Sequence, residues 1–473
     1  MNKSFKIKTK IVATLGPTSS TVPMIEKMLE NGLTVARINM SHGDQATHAE
    51  VIKKARTAAK RTKRPLAILQ DLSGPKIRIG DFDTEDVTLI NGETLTLTTK
   101  PCTGTVERVF VNYPLLPKEV EVGMNIYLND GKQKLVVSKI SDTEVKTTII
   151  SGGTIKGRRG VNIPDANLSI SSLTEKDRKD LKFGLEQNVD FMTLSFVRTA
   201  DDIHLLRKLV GKNSNVSIVA KIETKNAIEN LESIIEASDV IMVARGDLAI
   251  EMPLEKVPLL QKRIIRLANL AGKPVITATQ MLDSMRIATT PTRAEVADIA
   301  NAILDGTDAL MLSDESAVGI HPDRAIEIMA QVAYEIENDT YFMERRSEWS
   351  FTTLNVSDAI TRSIAYSIGH ISAKLIVALS ESGHTARMIA RHRPNAPILV
   401  LTPNKDTYNH MLIVYGCEPH IVKPMKSLHE TQKIARKIAL EQGLVKTGDC
   451  FIIGAGMPFG HSGATNTMVI DEI

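Results

Sequence analysis

Short apolar runs, each ending in a polar or charged residue, recur along this chain with helix-patterned stretches between them. A continuous β-branched run reads as a strand buried on both faces, which implies a parallel sheet covered by helices. Residues 9–16, 34–41 and 65–72 are such runs, separated by helical patterns over 21–31 and 46–61. Five more follow at 189–196, 217–223, 240–247, 274–280 and 309–313. Eight strands alternating with helices predict a (β/α)8 TIM barrel, whose functional residues lie at the C-terminal strand ends. Those ends carry Asn39, Ser41, Asp71, Ser195, Lys221, Glu223, Asp247 and Thr279. A barrel that served only as scaffold would have no reason to gather polar residues at one rim.

The alternation breaks at residue 73. As far as about residue 168 the chain is rich in Thr, Val, Gly and turn residues and shows no amphipathic helix. Asn91-Gly92 and Asp130-Gly131 are hairpin-turn dipeptides. We expect a small β-barrel domain over 73–168, inserted into the catalytic barrel of 1–72 and 169–343 and able to act as a lid. Ser172-Leu-Thr-Glu175 reads as a capping box that restarts the helices. A helix over 322–339 leads out, and the polar stretch 344–355, with the only tryptophan (Trp349), reads as a linker. From Val356 a βα alternation resumes, with helices at 356–370, 385–392 and 427–442 and strands at 375–379, 398–402, 449–453 and 466–470. The region 344–473 is therefore expected to be a C-terminal α/β domain with a regulatory role.

Charge adds little. Lys and Arg number 58 against 55 Asp and Glu, and this excess of +3 gives no reason to expect nucleic acid. The basic cluster from Lys53 to Arg64 lacks interleaved aromatics and reads as a solvated helix face. Three scattered cysteines without a CxxC pair fit a reducing compartment. Met1-Asn-Lys-Ser-Phe-Lys6 has no hydrophobic signal core and no segment reaches membrane-spanning length, so a cytoplasmic protein without membrane partners is expected.

The densest chemistry lies in Lys221-Ile-Glu223. Strand alternation puts Lys221 and Glu223 on one face, and Asp247 is expected to end the neighbouring strand. One ammonium and two carboxylates suit a phosphoryl group held by Lys and a divalent metal held by Glu and Asp. Taken alone, the pattern favours the plainer alternative, an ion pair at a strand end.

Longer motifs carry a resemblance. Thr9-Lys-Ile-Val-Ala-Thr-Leu-Gly-Pro17, Ala36-Arg-Ile-Asn-Met-Ser-His-Gly43, Gly74-Pro-Lys-Ile-Arg78, Lys221-Ile-Glu223, Met242-Val-Ala-Arg-Gly-Asp-Leu248, Ala278-Thr-Gln-Met281 and Pro291-Thr-Arg-Ala-Glu295 are similar to those of pyruvate kinases along essentially the whole chain. The resemblance implies phosphoryl transfer from phosphoenolpyruvate to ADP, giving pyruvate and ATP, with Mg2+ or Mn2+, in a cytoplasmic homotetramer. It implies Glu223 and Asp247 as metal ligands and Lys221, Thr279 and Arg37 as catalytic residues. Arg37, Arg78, Lys221, Gly246, Asp247 and Thr279 would bind phosphoenolpyruvate, and Asn39, His42 and Arg159 the nucleotide. Thr279 would belong to a proton route that uses a water relay. A metal-dependent aldolase and a non-catalytic sugar-phosphate sensor are the rival readings.

Departures from the family pattern matter too. Asp71-Leu-Ser-Gly-Pro-Lys76 stands where potassium-dependent members read Asp-Thr-Lys-Gly-Pro-Glu. Leu72 removes a ligand for the monovalent cation, and the Lys76 ammonium could supply its charge. Activity without K+ is therefore expected, with Asn39, Ser41 and Asp71 as the remnant pocket around Lys76. Ala249 replaces a usual Gly, and Ser313-Asp-Glu-Ser316 adds the carboxylate of Asp314, for which the sequence suggests no role. In the last domain Ser380, Ser382, Gly383, His384 and Thr385 form the family's effector loop, beside a late loop over 456–463. His384 replaces a frequent Arg, which favours a monophosphate such as AMP or a sugar monophosphate.

Overall fold

A computed structural model describes residues 7–211, 214–340, 355–458 and 465–473. The 344–354 part of the expected linker, with Trp349, the first six residues and the 459–463 part of the late loop lie outside the described residues, while Asn355 caps the helix Val356–His370. Eight parallel strands close into a barrel in chain order, the eighth pairing back on the first. They are Lys10–Thr14, Leu33–Asn39, Ala67–Asp71, Phe191–Leu194, Ser217–Ile222, Val240–Ala244, Val275–Ala278 and Ala309–Leu312.

Strand alternation divides the core. Ile11 and Ala13 pack with Ile25 and Met28 of the first helix, in the layer between strands and helices. Val12, Val35, Leu69, Phe191, Val219 and Met242 belong to a second cluster, which runs on into C-terminal residues such as Ile376 and Leu412. The barrel is tied end to end by Glu337 in the helix Pro322–Asn338, whose carboxylate accepts from the Lys8 and Thr9 amides at 2.7 and 2.6 Å.

The insertion between the third and fourth barrel strands forms a six-stranded sheet and a two-stranded ribbon. Asn125–Leu128 and Gln133–Ile140 make the hairpin expected at Asp130-Gly131, with Asn129, Asp130 and Gly131 in left-handed backbone at φ 52°, 56° and 82°. Asn91-Gly92 is not a hairpin turn. Its flanking strands Asp86–Leu89 and Thr94–Thr98 pair instead with Gly153–Lys156 and Glu144–Ser151, so the turn hands the chain from one sheet to the other.

Both connections of the insertion are held by the barrel. The Gly74 amide donates to Asp177 Oδ1 at 3.2 Å, and the Arg198 guanidinium donates to the carbonyls of Leu168 and, at 2.6 Å, Ile170. The helix Glu175–Glu186 does open on a capping box, but its members are Thr174 and Asp177 rather than Ser172 and Glu175. Asp177 Oδ2 accepts from the Thr174 amide at 2.9 Å, whereas Ser172 Oγ is buried without a hydrogen-bond partner.

The C-terminal domain is a five-stranded sheet in the order Cys417–Ile421, Ile398–Thr402, Leu375–Leu379, Cys450–Gly456, Thr465–Glu472, of which only the last is antiparallel. No described helix is long and apolar enough to cross a membrane.

Candidate active site

The ends of the second to fifth barrel strands are joined by a chain of polar contacts. Arg37 leaves the second strand and donates through Nε and Nη2 to Asp71 Oδ2 at 2.8 and 2.5 Å, and through Nη1 to Thr14 Oγ1 at 2.7 Å. Asp71 ends the third strand, with Oδ1 3.4 Å from the Ser195 hydroxyl. Ser195 follows the fourth strand, donates to the Leu72 carbonyl at 2.7 Å and accepts from Lys221 Nζ at 3.0 Å. Lys221 lies 3.1 Å from Glu223 Oε2, and Glu223 Oε1 accepts from the Phe196 amide at 2.7 Å. Arg37, Asp71, Ser195 and Glu223 are buried and Lys221 is partly so, and neighbouring strand ends bring them together from distant parts of the chain.

Burial dominates the electrostatics here. It pushes Asp71 upward, but Lys221 and Arg37 outweigh it and hold the carboxyl below its usual range. For Lys221 burial acts downward, and the carboxylates of Asp71, Glu223 and Asp247 more than reverse it, so the ammonium is firmly charged. Glu223 is the exception. Burial, with Asp247 adding to it, raises its carboxyl to about 7 despite Lys221. Its Oε2 is enclosed and receives no hydrogen bond of proper geometry, although Lys221 lies within ion-pair distance.

Asp247 does not end a strand. The sixth strand stops at Ala244, and Asp247 lies in the first turn of the helix Arg245–Glu251. It remains close enough to Glu223 and Lys221 to shift both. Beside it the Gly246 amide donates to Thr279 Oγ1 at 2.8 Å, and that hydroxyl donates to the Ala278 carbonyl at 2.6 Å. Thr279 and Gln280 sit in left-handed backbone at φ 72° and 54°, and Phe196 at 54°. Such conformations are costly for β-branched or bulky residues and collect where the surroundings over-determine them.

Arg245 supplies part of that determination. Its Nη2 donates to the Thr279 carbonyl at 2.7 Å, and its Nη1 to Asp298 Oδ1 at 2.6 Å. Sequence reasoning did not single Arg245 out, because nothing local marks an arginine whose partners lie just past the seventh strand and on the helix Arg293–Asp305. Gly74 is required by space as well as by φ +66°, since a Cβ there would come within 2.8 Å of Phe196.

The other expected residues are more open. Arg78 and Lys76 are exposed and share a cleft with Asp247, Asn162 and Glu251 between the insertion and the barrel. Arg78 Nη1 donates to the Arg158 carbonyl at 2.9 Å. His42 and Arg159 are exposed, and Asn39 Oδ1 accepts from the Ser41 amide at 3.1 Å. Among the described residues no hydrogen bond or ion pair joins Lys76 to Asn39, Ser41 or Asp71, and the buried Leu72 side chain offers no oxygen. In the C-terminal domain Ser380, Ser382 and Gly383 form the loop after the strand Leu375–Leu379, and His384 and Thr385 open the helix His384–Ala390, with Thr385 Oγ1 bonded to Thr465 Oγ1 at 2.7 Å.

Comparison with known proteins gives one answer. Residues 6–326 match the sequence model of the pyruvate kinase barrel domain, and residues 358–470 that of the pyruvate kinase alpha/beta domain. A pyruvate kinase of Geobacillus stearothermophilus is 42% identical over 475 residues, covering 99% of this chain and 81% of its own. Pyruvate kinase 2 of Synechocystis is 40% identical over 98% of this chain and 79% of its own. A crystal structure of a pyruvate kinase from Cryptosporidium parvum superposes with a TM-score of 0.92 at 34% identity, over 100% of this chain and 97% of that one.

Proposed function

The chain belongs to the pyruvate kinase family, and from that premise we propose that it transfers the phosphoryl group of phosphoenolpyruvate to ADP at this rim. The observation that carries the reading is Glu223. A carboxylate whose enclosed oxygen has only the Lys221 ammonium at 3.1 Å, without a hydrogen bond of proper geometry, and whose burial still raises its pKa, is a costly arrangement for a purely structural ion pair. It is a sensible one for a metal ligand. Glu223 and Asp247 offer the hard oxygen donors that Mg2+ or Mn2+ prefers. Among the described residues no three His, Cys, Asp or Glu side chains cluster as a metal centre. Water and substrate oxygens would therefore complete the coordination, as is usual for Mg2+. When bound, the cation would neutralise charge on the phosphate and the enol oxygen.

The chain's own groups take the remaining work. Lys221 directs a permanently charged ammonium at the phosphoryl group in transit, where fixed charge lowers the barrier most. Arg37 is held by Asp71 and Thr14 with its guanidinium pre-set, and together with Arg78 it grips phosphate. The substrate carboxylate is received by Gly246, Asp247 and Thr279. For this the Thr279 hydroxyl turns from the Gly246 amide, freeing that donor. A water relay at Thr279 delivers the proton to the enolate carbon. Asn39, His42 and Arg159 face the nucleotide, and the inserted β domain closes over both substrates.

Finer features belong to the same reading. Lys76 lies in the cleft with no carboxylate within ion-pair distance among the described residues, and in place of K+ it supplies positive charge beside the phosphate. The loop from Ser380 to Thr385 takes a phosphorylated effector, AMP or a sugar monophosphate, in a cytoplasmic homotetramer. A lactate-dehydrogenase-coupled assay with phosphoenolpyruvate, ADP and Mg2+ tests the central claim. Absence of ADP-dependent pyruvate formation would refute it.

A further inference from the structure

The second barrel strand ends at Asn39, and the chain then turns into the helix Gln45–Thr62. This turn carries Ser41 and His42 and starts beside Asn39, so its shape decides where the nucleotide-side groups stand. Contacts inside it are few. The Ser41 amide donates to Asn39 Oδ1 at 3.1 Å, and the His42 amide reaches the Asn39 carbonyl only at 3.4 Å. Gly43 takes left-handed backbone at φ 74°, and His48 Nε2 donates to the His42 carbonyl at 2.7 Å. Both ends of the turn are gripped from elsewhere, by Lys176 and Asp180, one turn apart on the helix Glu175–Glu186. At the start, Lys176 Nζ donates to the Met40 carbonyl at 2.6 Å. At the finish, Asp180 Oδ1 accepts from Gln45 Nε2 at 2.9 Å. The two grips are joined, since Asp180 Oδ2 accepts from the Lys176 ammonium at 2.5 Å.

A solvent-exposed Lys–Asp pair one helical turn apart contributes little. This pair differs in two respects. Asp180 is 3% exposed, so its charge has to be answered, and Lys176 and Gln45 each supply a donor. Met40 is also buried, and its carbonyl, past the end of the strand, takes its hydrogen bond from Lys176. The helix is itself fixed to the barrel. Gln70 Nε2 donates to the Asp180 carbonyl at 2.7 Å, and Gly184 lies so close to the Gln70 side chain that a Cβ there would overlap it. The first turn of the same helix holds the start of the inserted domain, where Asp177 takes the Gly74 amide and Lys176 Nζ lies 3.5 Å from Ser73 Oγ.

We propose that Lys176 and Asp180 are positioning residues for the nucleotide, a clamp that fixes residues 40–45 and with them Asn39, Ser41 and His42. The proposal rests on the reading of that turn as the nucleotide side. Neither residue has to touch ADP. The contacts that hold Arg37, Lys221 and Thr279 run through other strand ends, so loss of the clamp spares the phosphoenolpyruvate half of the site.

Steady-state kinetics of the full chain, with each substrate varied while the other is saturating, tests the clamp. Lys176→Met should raise KM for ADP about tenfold or more and leave KM for phosphoenolpyruvate within about twofold. Asp180→Asn removes the charge and keeps one acceptor oxygen, and should raise KM for ADP by a smaller factor with the same split. Urea midpoints show that each variant folds, and if one does not, the other decides. Equal rises in both KM values, or a KM for ADP that stays within about twofold of wild type, overturns the proposal. Calorimetric titration with ADP and Mg2+ reads the same loss without turnover. A wild-type chain inactive in the coupled assay would sink the catalytic reading, whereas ADP binding weakened about tenfold by Lys176→Met would still uphold the clamp.

Discussion

Substituting Glu223→Gln separates a metal ligand from a structural ion pair. The carboxyl titrates at about 7 in the folded protein against an ordinary 4.5, so the native state binds an extra proton between those values. Stability contributed by this group is therefore lost as pH rises from 4.5 to about 7, and above that the full cost of the buried charge is borne. The shift corresponds to roughly 3 kcal/mol. Gln keeps the acceptor for the Phe196 amide and removes the charge, while Lys221 retains Asp71 and Asp247 nearby. In EDTA at pH 8 the variant should therefore unfold at higher urea than wild type, by up to roughly 3 kcal/mol, and the gap should close near pH 4.5. Far-UV circular dichroism at the two pH values reads this. Mn2+ should stabilise wild type at pH 8 and not the variant, and kcat/KM should fall by about a hundredfold or more. A variant less stable than wild type at pH 8 would mean that Lys221–Glu223 is a net stabilising pair, and the argument from the unanswered oxygen would fail.

Other perturbations reach the same network from different sides. Ser195→Ala removes the acceptor of the Lys221 ammonium and should lower kcat about tenfold with KM for phosphoenolpyruvate little changed; an equal rise in KM would indicate lost binding instead. Arg37→Lys keeps the charge but loses the two-nitrogen grip on Asp71, and kcat/KM should fall at least about tenfold in the coupled assay. In buffer free of K+ and Na+ wild-type activity should stay within about twofold of its value with K+, whereas Lys76→Glu should lose about tenfold and regain it on adding K+. Collapse of the wild type without K+ would rule out the role given to Lys76.

Much of the barrel was legible because buried parallel strands write themselves as unbroken apolar runs, and each of the eight was found within a few residues. The misreadings share a cause in tertiary context. Asp247 looked like a strand end because Val240 to Ala244 gives no local stop signal before the helix turns at Arg245. Strand Cys417–Ile421 was not assigned, since Pro419 and Glu418 argue against a strand, and it survives as the edge of its sheet. The Arg37–Asp71 pair and the role of Arg245 were invisible because strand adjacency, not sequence spacing, creates them. That Lys221 and Glu223 share one face was recoverable from period two. The raised carboxyl of Glu223 was not, since it depends on how completely the fourth and fifth strands enclose it.

The inserted domain leaves and rejoins the barrel at two clamped points, Gly74 on Asp177 and residues 168 and 170 on Arg198. Between the pins Asn162 and Asp165 also reach the barrel, at Glu251 and Lys225, so a swing about the line through the pins must first release those contacts, and its travel is an arc with a latch at one end. Lengthening the chain beyond the clamps, at the Gly123 turn where an added Cβ would meet nothing within 4 Å, should leave that arc unchanged. A single residue added between a clamp and the barrel would move the axis itself, and every position the insertion presents to the cleft would shift with it.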